Sequence, residues 1–513
     1  MSNKQCGVSL MAGTGVELRL GILRDTAMQQ IIKPLQSHGW EASISGEFDV
    51  GEYLVVSAKK MGDEHKVALM YSSATDNKHY KTLDAQVSHI FTNGALYMVD
   101  SFAYGIKAPV LWVGEFFNVL VGWNKSLSPD VGVSARAVRP KQIRRITGES
   151  PVSGVWAHLG QYASVQLARR LVERRAEEAL VGLTVDQLES KSSGVAFAIR
   201  SAADYFRGAP HESLNKRVLS LYYGTLSLAF AEMLASPHGS TDLDQVEGMT
   251  KQGHGLFALA PESDDFGSLT VGVLASGFFP QWVSFLGHET SSYPKSKAKA
   301  LSDFENQSKF SPGTFVNING LLSAMPELGE LFGQVSDMAP SWVDVSSDMD
   351  SHRALHGQQV GSSYVFFVDP SRGISKSRLE SLPWPIAELS EAGEDEYESG
   401  NRFRARIDHP GFKSWWDVLP VRRSPYDGQS ALILPVLGGV FEYRAISLAI
   451  LYALSILVRY MPSAWRRVEG GDWDQHLVLM RTALDVFERV LPQEFLGSIA
   501  DEHIYTGSPG GFF

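Results

Sequence analysis

The sequence predicts two unlike parts: an α/β N-terminal domain, then a large, mainly α-helical domain with some β insertions. Three observations carry this. Over residues 1–125, helical patterns and short β-branched runs follow the order helix, three strands, helix, strand, which is the alternation of an α/β layer fold. Residues 126–153 are rich in Pro, Gly, Ser and basic residues and read as a basic linker. Over 154–513 helical spacing dominates, and two stretches are apolar on nearly every side, as buried helices are.

The N-terminal elements follow in order. Val16 to Gly39 places Leu20, Leu23, Ile31 and Leu35 at helical spacing, and Gly39 ends the helix. GWEASIS, EYLVVSAKK and HKVALMYSS read as strands, Thr82 to Phe91 as a second helix, and the runs after Gly94 as further strands or a strand and a helix.

In the second part, Glu212 to Ala235 is the central helix. Ser220, Gly224, Ser227 and Ala231 form its one small stripe, where another helix can approach closely. Tyr443 to Arg459 repeats the device with Ala445, Ala449 and Ala453, so the two helices are expected to pair. The apolar run Ala445 to Val458 is shorter than the roughly 20 residues of a bilayer span. Tyr162 to Leu183 and Ser193 to Phe206 read as amphipathic helices; LTVGVLASGFF, Ser362 to Val368 and Ala431 to Leu437 read as strands. The acidic run at 388–400 reads as an exposed loop.

Net charge is -11, so no global basic footprint for nucleic acid exists, although a local one is compatible with it. The lone Cys6 excludes an internal disulfide and a cysteine-cluster zinc site. MSNKQCGVSL lacks the apolar core of a signal peptide, and the expectation is a cytoplasmic protein with no membrane association.

No phosphate-binding loop, dinucleotide fingerprint, H-E-x-x-H or G-x-S-x-G occurs. EFDVGEYLVVSAKK, residues 47–60, sets an acidic pair in a turn before a strand ending in Ser57-Ala58-Lys59. This arrangement resembles the core of PD-(D/E)XK nucleases, a restriction-endonuclease-like fold. The resemblance implies that Asp49 and Glu47 hold Mg²⁺, a hard ion that takes oxygen ligands. It implies Lys59 positioning the attacking water, with Glu17 supporting the site from the first helix and Gln86 facing it from the next. Ser57 stands where the second carboxylate belongs. Either Glu47, Asp49 or Glu64 compensates, or the fold persists without activity.

Other candidates are Arg136, Arg139, Lys141, Arg144 and Arg145, five basic residues in ten. They form either a solvated linker or a phosphate-contacting strip. Arg404 to His409 has the spacing of HEPN-type ribonucleases, but Pro410 follows and the surroundings are loop-like. His254, between two glycines, reads either as a residue that reaches a ligand closely or, the favoured reading, as a turn histidine bonded to a nearby carbonyl; Tyr222, Tyr223, Trp415 and Trp416 read as packing residues.

Four blocks resemble the YaaC-like proteins of bacteria in order and spacing: RVLSLYYGTLSLAFAEML, HGLF at His254 to Phe257, LLSAMPELGELF at Leu321 to Phe332, and AISLAILYALSILVRYMPSAW with the long helix after it. The resemblance covers residues 150–499. It implies a mostly helical protein and supplies no catalytic residues. The expected function is a nucleic-acid-processing component of bacterial defence against phage, with a metal-dependent nuclease. The alternative is a non-catalytic scaffold that binds nucleic acid or a partner. DNA or RNA and a protein partner or second copy are the expected partners.

Overall fold

In the computed structural model the chain divides into two units, Met1–Arg136 and Ala137–Phe513. The structure describes residues 7–47, 51–60, 62–94, 102–117, 119–120, 123, 141–240, 242–261, 265–305, 309–348, 361–393, 400–409, 414–424 and 430–507.

The N-terminal unit opens with helix α1, Gly7–Ala27, which continues through one π turn, Met28–Ile32, into α2, Lys33–Ser37. Leu23, Ala27, Ile31 and Leu35 recur every four residues and are fully buried. Gly39 adopts φ 76°, which a residue with a Cβ avoids. Next come β1, Glu41–Glu47, β2, Tyr53–Lys60, and β3, Asp63–Met70. Then α3, Asn77–Asp84, leads to β4, His89–Thr92, and β5, Val110–Trp112. The sheet order is β1-β2-β3-β4-β5, antiparallel up to β3 and parallel beyond it. One face, with Leu54, Val56 and Leu69, packs on Leu23, Ile31 and Leu35. The other, with Tyr53, Val55 and Met70, packs on Tyr80 and Leu83 of α3.

The helix expected over Thr82 to Phe91 is corrected. It ends at Asp84, whose carboxylate accepts from the amides of Lys107 and Ala108 at 2.7 Å. The chain turns there, and the apolar residues that follow serve β4 instead.

The C-terminal unit begins with β6, Gln142–Thr147, so the described end of the expected linker is a strand. Helices α4, Pro151–Gln161, α5, Val165–Ala179, α6, Val185–Gly208, α7, Leu214–Ala235, and α8, Leu243–Lys251, follow. A three-stranded sheet combines β7, Leu256–Leu259, β8, Thr270–Val273, and β9, Phe315–Asn317. Around it lie α9, Phe278–Phe285, α10, Ile318–Leu322, and α11, Gly329–Val335. An antiparallel six-stranded sheet has the order β12-β13-β11-β10-β15-β14. Its strands are β10, Trp342–Ser347, β11, Ser362–Asp369, β12, Ile386–Ala392, β13, Asn401–Asp408, β14, Arg422–Arg423, and β15, Ser430–Ile433. Helix α12, Lys376–Glu380, precedes β12. The first residues of the expected acidic loop are thus a strand. The chain closes with α13, Tyr443–Tyr460, α14, Pro462–Gly470, α15, Asp474–Ala500, and β16, Glu502–Gly507, which pairs parallel with β6.

Helices α7 and α13 are long and apolar enough to cross a membrane, yet 78% of each such window is buried inside the fold. The small stripe of α7 faces α6, not α13 as expected. A Cβ on Gly224 would lie 2.7 Å from the Phe206 ring, and Ser227 Oγ donates to Ser201 Oγ at 3.3 Å. Helix α13 meets another side of α7, through Tyr452 and Tyr222.

A polar cleft in the C-terminal unit

The expected N-terminal site divides into two clusters. Arg24 of α1 donates to Glu17 and to both oxygens of Glu47, each at 2.7 Å. These hydrogen bonds hold the Glu47 carboxyl below its usual range. A guanidinium therefore already sits between the two carboxylates. Lys59 lies elsewhere: the register pairs Glu47 with Leu54 and Glu41 with Lys59, roughly 16 Å further along the ladder. There Lys59 pairs with Glu64 at 3.2 Å, and Ser57 donates to the same carboxylate at 3.3 Å. Ser57 and Lys59 share one face while Val56 and Ala58 are buried, as strand alternation requires. Asp49 lies outside the described residues. Gln86 follows α3 rather than sitting within a helix. Sequence reasoning passed over Glu64-His65-Lys66, an acid-x-lysine spacing on β3, the strand after β2. Among the described residues, no group of three or more His, Cys, Asp or Glu side chains is placed to hold a metal ion.

Of the basic strip, Arg136 and Arg139 lie outside the described residues. Lys141 pairs with Asp501 at 2.9 Å. Arg144 pairs with Glu502, its Nη2 donating at 2.9 Å, and the half-buried pair ties β6 to β16. Arg145 also has an interaction partner. Arg404 and His409 belong to a strand and the residue just after it, five positions apart, so they face opposite ways. His409 is buried and bonds Ser363 Oγ at 2.8 Å, while Arg404 reaches Asp348 at 2.8 Å. That arrangement replaces the ribonuclease reading of the pair.

What the C-terminal unit does build is a cleft of about 920 Å³ between β14, the start of α13, the end of α15 and β16. Its floor carries two parallel Glu–Arg–Glu triads. Arg422 of β14 donates from Nη2 to Glu327 at 2.5 Å and from Nε to Glu494 at 2.7 Å, and its guanidinium lies 3.8 Å over the Tyr443 ring. Arg444, in the first turn of α13, donates from Nη1 to Glu232 and from Nη2 to Glu442 at 3.2 Å. Glu232 lies in the last turn of apolar α7, 1% exposed. It also accepts from Trp282 Nε1 at 2.9 Å and from Ser498 Oγ. The neighbouring carboxylates outweigh burial and hold Arg422 and Arg444 firmly protonated.

Each triad has the same layout. An inner carboxylate, Glu327 or Glu232, is walled into the core, while the outer one, Glu494 or Glu442, keeps side-chain exposures of 22% and 31%. Two carboxylates to one guanidinium leave one surplus negative charge per triad. The rim is aromatic. Trp416 is 46% exposed and stacks at 4.2 Å on Trp415, which is buried. The two tryptophans thus have different environments, and one is not a packing residue. Arg423 lies over the Tyr505 ring at 5.3 Å. One sequence signal pointed here: a glutamate inside LAFAEMLA cannot stay charged in a core without a partner.

The model of the YaaC-like protein family matches residues 161–499. The chain belongs to the YaaC-like family. The match takes in Glu232, Glu327, Arg422, Arg444 and Glu494, hence both triads. It starts beyond the N-terminal unit, so the nuclease resemblance of that unit rests on its own residues. Neither the curated proteins nor the solved structures contain a match to the chain.

Proposed function

We propose that the chain is a non-catalytic binding protein, a scaffold whose YaaC-like unit takes a basic segment of a partner protein. The twin triads of the cleft carry this reading. Each arginine is neutralised from the core side, so the carboxylates of Glu442 and Glu494 are surplus charge facing the cleft. A lysine or arginine side chain would meet them, with the faces of Trp416 and Tyr505 flanking its stem or guanidinium. Charge complementarity of this kind sets partner choice and encounter rate.

The test is titration of the full chain with a short arginine-rich peptide, followed by calorimetry. Glu442→Gln and Trp416→Ala should each weaken binding, by about tenfold for a charge-assisted contact worth about 1.4 kcal/mol. Affinity unchanged in both variants would sink the reading.

For the N-terminal unit we propose a restriction-endonuclease-like core that has lost its chemistry. Support comes from the helix–three-strand–helix–strand order, from Arg24 between Glu17 and Glu47, and from the distance separating Lys59 from them. Mg²⁺- or Mn²⁺-dependent cleavage of DNA or RNA that disappears in Lys59→Ala would restore the nuclease and, with it, the defence role.

A further inference from the structure

Away from the cleft, three of the blocks that carry the family resemblance meet. Tyr222 and Tyr223 come from α7, His254 from the HGLF loop, and Tyr452 and Arg459 from α13, seven residues and so two turns apart. The loop is pinned. Gly253 and Gly255 adopt φ 108° and 76°, and a Cβ on Gly255 would fall 2.2 Å from Pro280 Cδ. The carbonyls of Gly253 and His254 accept from Phe278 and Phe279 at the start of α9, at 3.0 and 2.9 Å. With its backbone spent on that helix start, His254 turns its side chain to α7. Its partner is therefore a hydroxyl rather than the carbonyl expected: Nδ1 and Tyr222 Oη share a hydrogen bond at 2.8 Å.

Several groups around this pair can donate. Burial holds the Tyr222 phenol far above its usual range, so it stays protonated. When it donates to Nδ1, the neutral imidazole carries its own proton on Nε2. Burial, then the charge of Arg459, keeps His254 below its usual range. Arg459 spends Nε and Nη2 on Ser455, at 3.1 Å each, and its Nη1 reaches Tyr223 Oη at 3.4 Å, a long contact. Among the described residues no carboxylate pairs with Arg459. The group is reachable: His254, Tyr223 and Arg459 are half-buried, and Tyr205, stacked 5.8 Å from Tyr223, is 38% exposed.

A half-buried guanidinium without a counter-charge, beside an imidazole N–H and a phenol, calls for an oxyanion. We propose that Arg459, Tyr223 and His254 form a phosphate-binding site, with Arg459 Nη1, Tyr223 Oη and His254 Nε2 as its donors. Its electrostatics are opposite to those of the cleft, and the two sites are independent. Phosphate chemistry is shared by a small phosphate ligand and by a nucleic-acid backbone, and competition separates them.

The experiment is calorimetric titration of the full chain with inorganic phosphate and pyrophosphate, repeated with a single-stranded oligonucleotide. Arg459→Gln should weaken phosphate at least about tenfold, Tyr223→Phe by a few-fold, and exposed Arg466→Gln on α14 not at all. Arg459→Lys keeps the charge and should retain part of the affinity, which separates loss of the site from loss of the fold. Oligonucleotide binding that phosphate displaces and Arg459→Gln removes assigns the site to a nucleic-acid backbone. Phosphate binding that the oligonucleotide leaves untouched assigns it to a small ligand. Absence of phosphate and pyrophosphate binding, or equal binding by Arg459→Gln, overturns the proposal.

Discussion

Gly224 and Gly248 make a matched pair of helical glycines that should respond to alanine in opposite directions. Alanine is worth about 1 kcal/mol over glycine in a helix interior, so both substitutions start with the same gain. At Gly248 in α8 the new Cβ meets nothing within 4 Å, and the gain should survive almost whole. At Gly224 it would stand 2.7 and 2.8 Å from two ring carbons of Phe206 and 3.1 Å from Tyr205 Cβ. Phe206 is 4% exposed, so its ring has nowhere to swing, and α6 must move outward. Overpacking of this kind costs about 1–3 kcal/mol, which cancels the gain or exceeds it. Gly224→Ala should therefore be neutral to destabilising by about 2 kcal/mol, and Gly224→Leu worse. Thermal and urea denaturation of the two alanine variants side by side is the assay. A rise in midpoint for Gly224→Ala equal to that for Gly248→Ala would refute the packing of α6 on α7.

Lys191 is 1% exposed, and Nζ donates to the carbonyls of Ser236 and Ser240 at 2.9 and 2.7 Å; burial lowers its pKa from 10.5 to about 8. Between those two values the unfolded chain binds the proton more tightly, so stability should rise with pH across that window; Lys191→Met should flatten the rise in urea titrations made at each pH. Arg144→Ala leaves Glu502, which is 6% exposed, with only the longer ion pair to Arg174 at 3.7 Å and should cost about 2 kcal/mol; an unchanged midpoint with weakened nucleic-acid affinity would instead restore the phosphate strip. Glu232→Leu leaves Arg444 short of its inner charge and should cost about 3–5 kcal/mol, whereas adding Arg444→Met should recover part of it, Trp282 Nε1 and Ser498 Oγ still lacking their acceptor; a cycle with additive losses would show that the two do not act as a pair.

How far the fold was legible depended on whether the deciding contact was local. The α7 and α13 helices and the β1–β3 strands were plain, because their periodicity is set by residues a few positions apart. The helix expected over Thr82 to Phe91 was not, because what stops it is Asp84 bonding the amides of Lys107 and Ala108. Likewise the small stripe of α7 announced a close neighbour but not which one. Both α6 and α13 are small-residue helices, and only the fit of Phe206 beside Gly224 selects α6.

The same distinction governs the sites. The nuclease resemblance joined Glu47 and Lys59 through sequence proximity, yet antiparallel pairing carries residues joined by one strand to opposite ends of the ladder. Lys141 and Arg144 looked free because their partners, Asp501 and Glu502, lie at the other end of the chain. What did survive folding was a different kind of signal: a charge where the pattern demands an apolar residue. Glu232 in the last turn of α7 and Arg444 in the first turn of α13 cannot be buried singly, because the desolvation cost is prohibitive. Each therefore predicts the existence of the other before either is located. Sequence shows the unpaired charge, and the fold supplies its partner. Since the second carboxylate of each triad faces the cleft, the residues that hold the core together are also those that charge its floor.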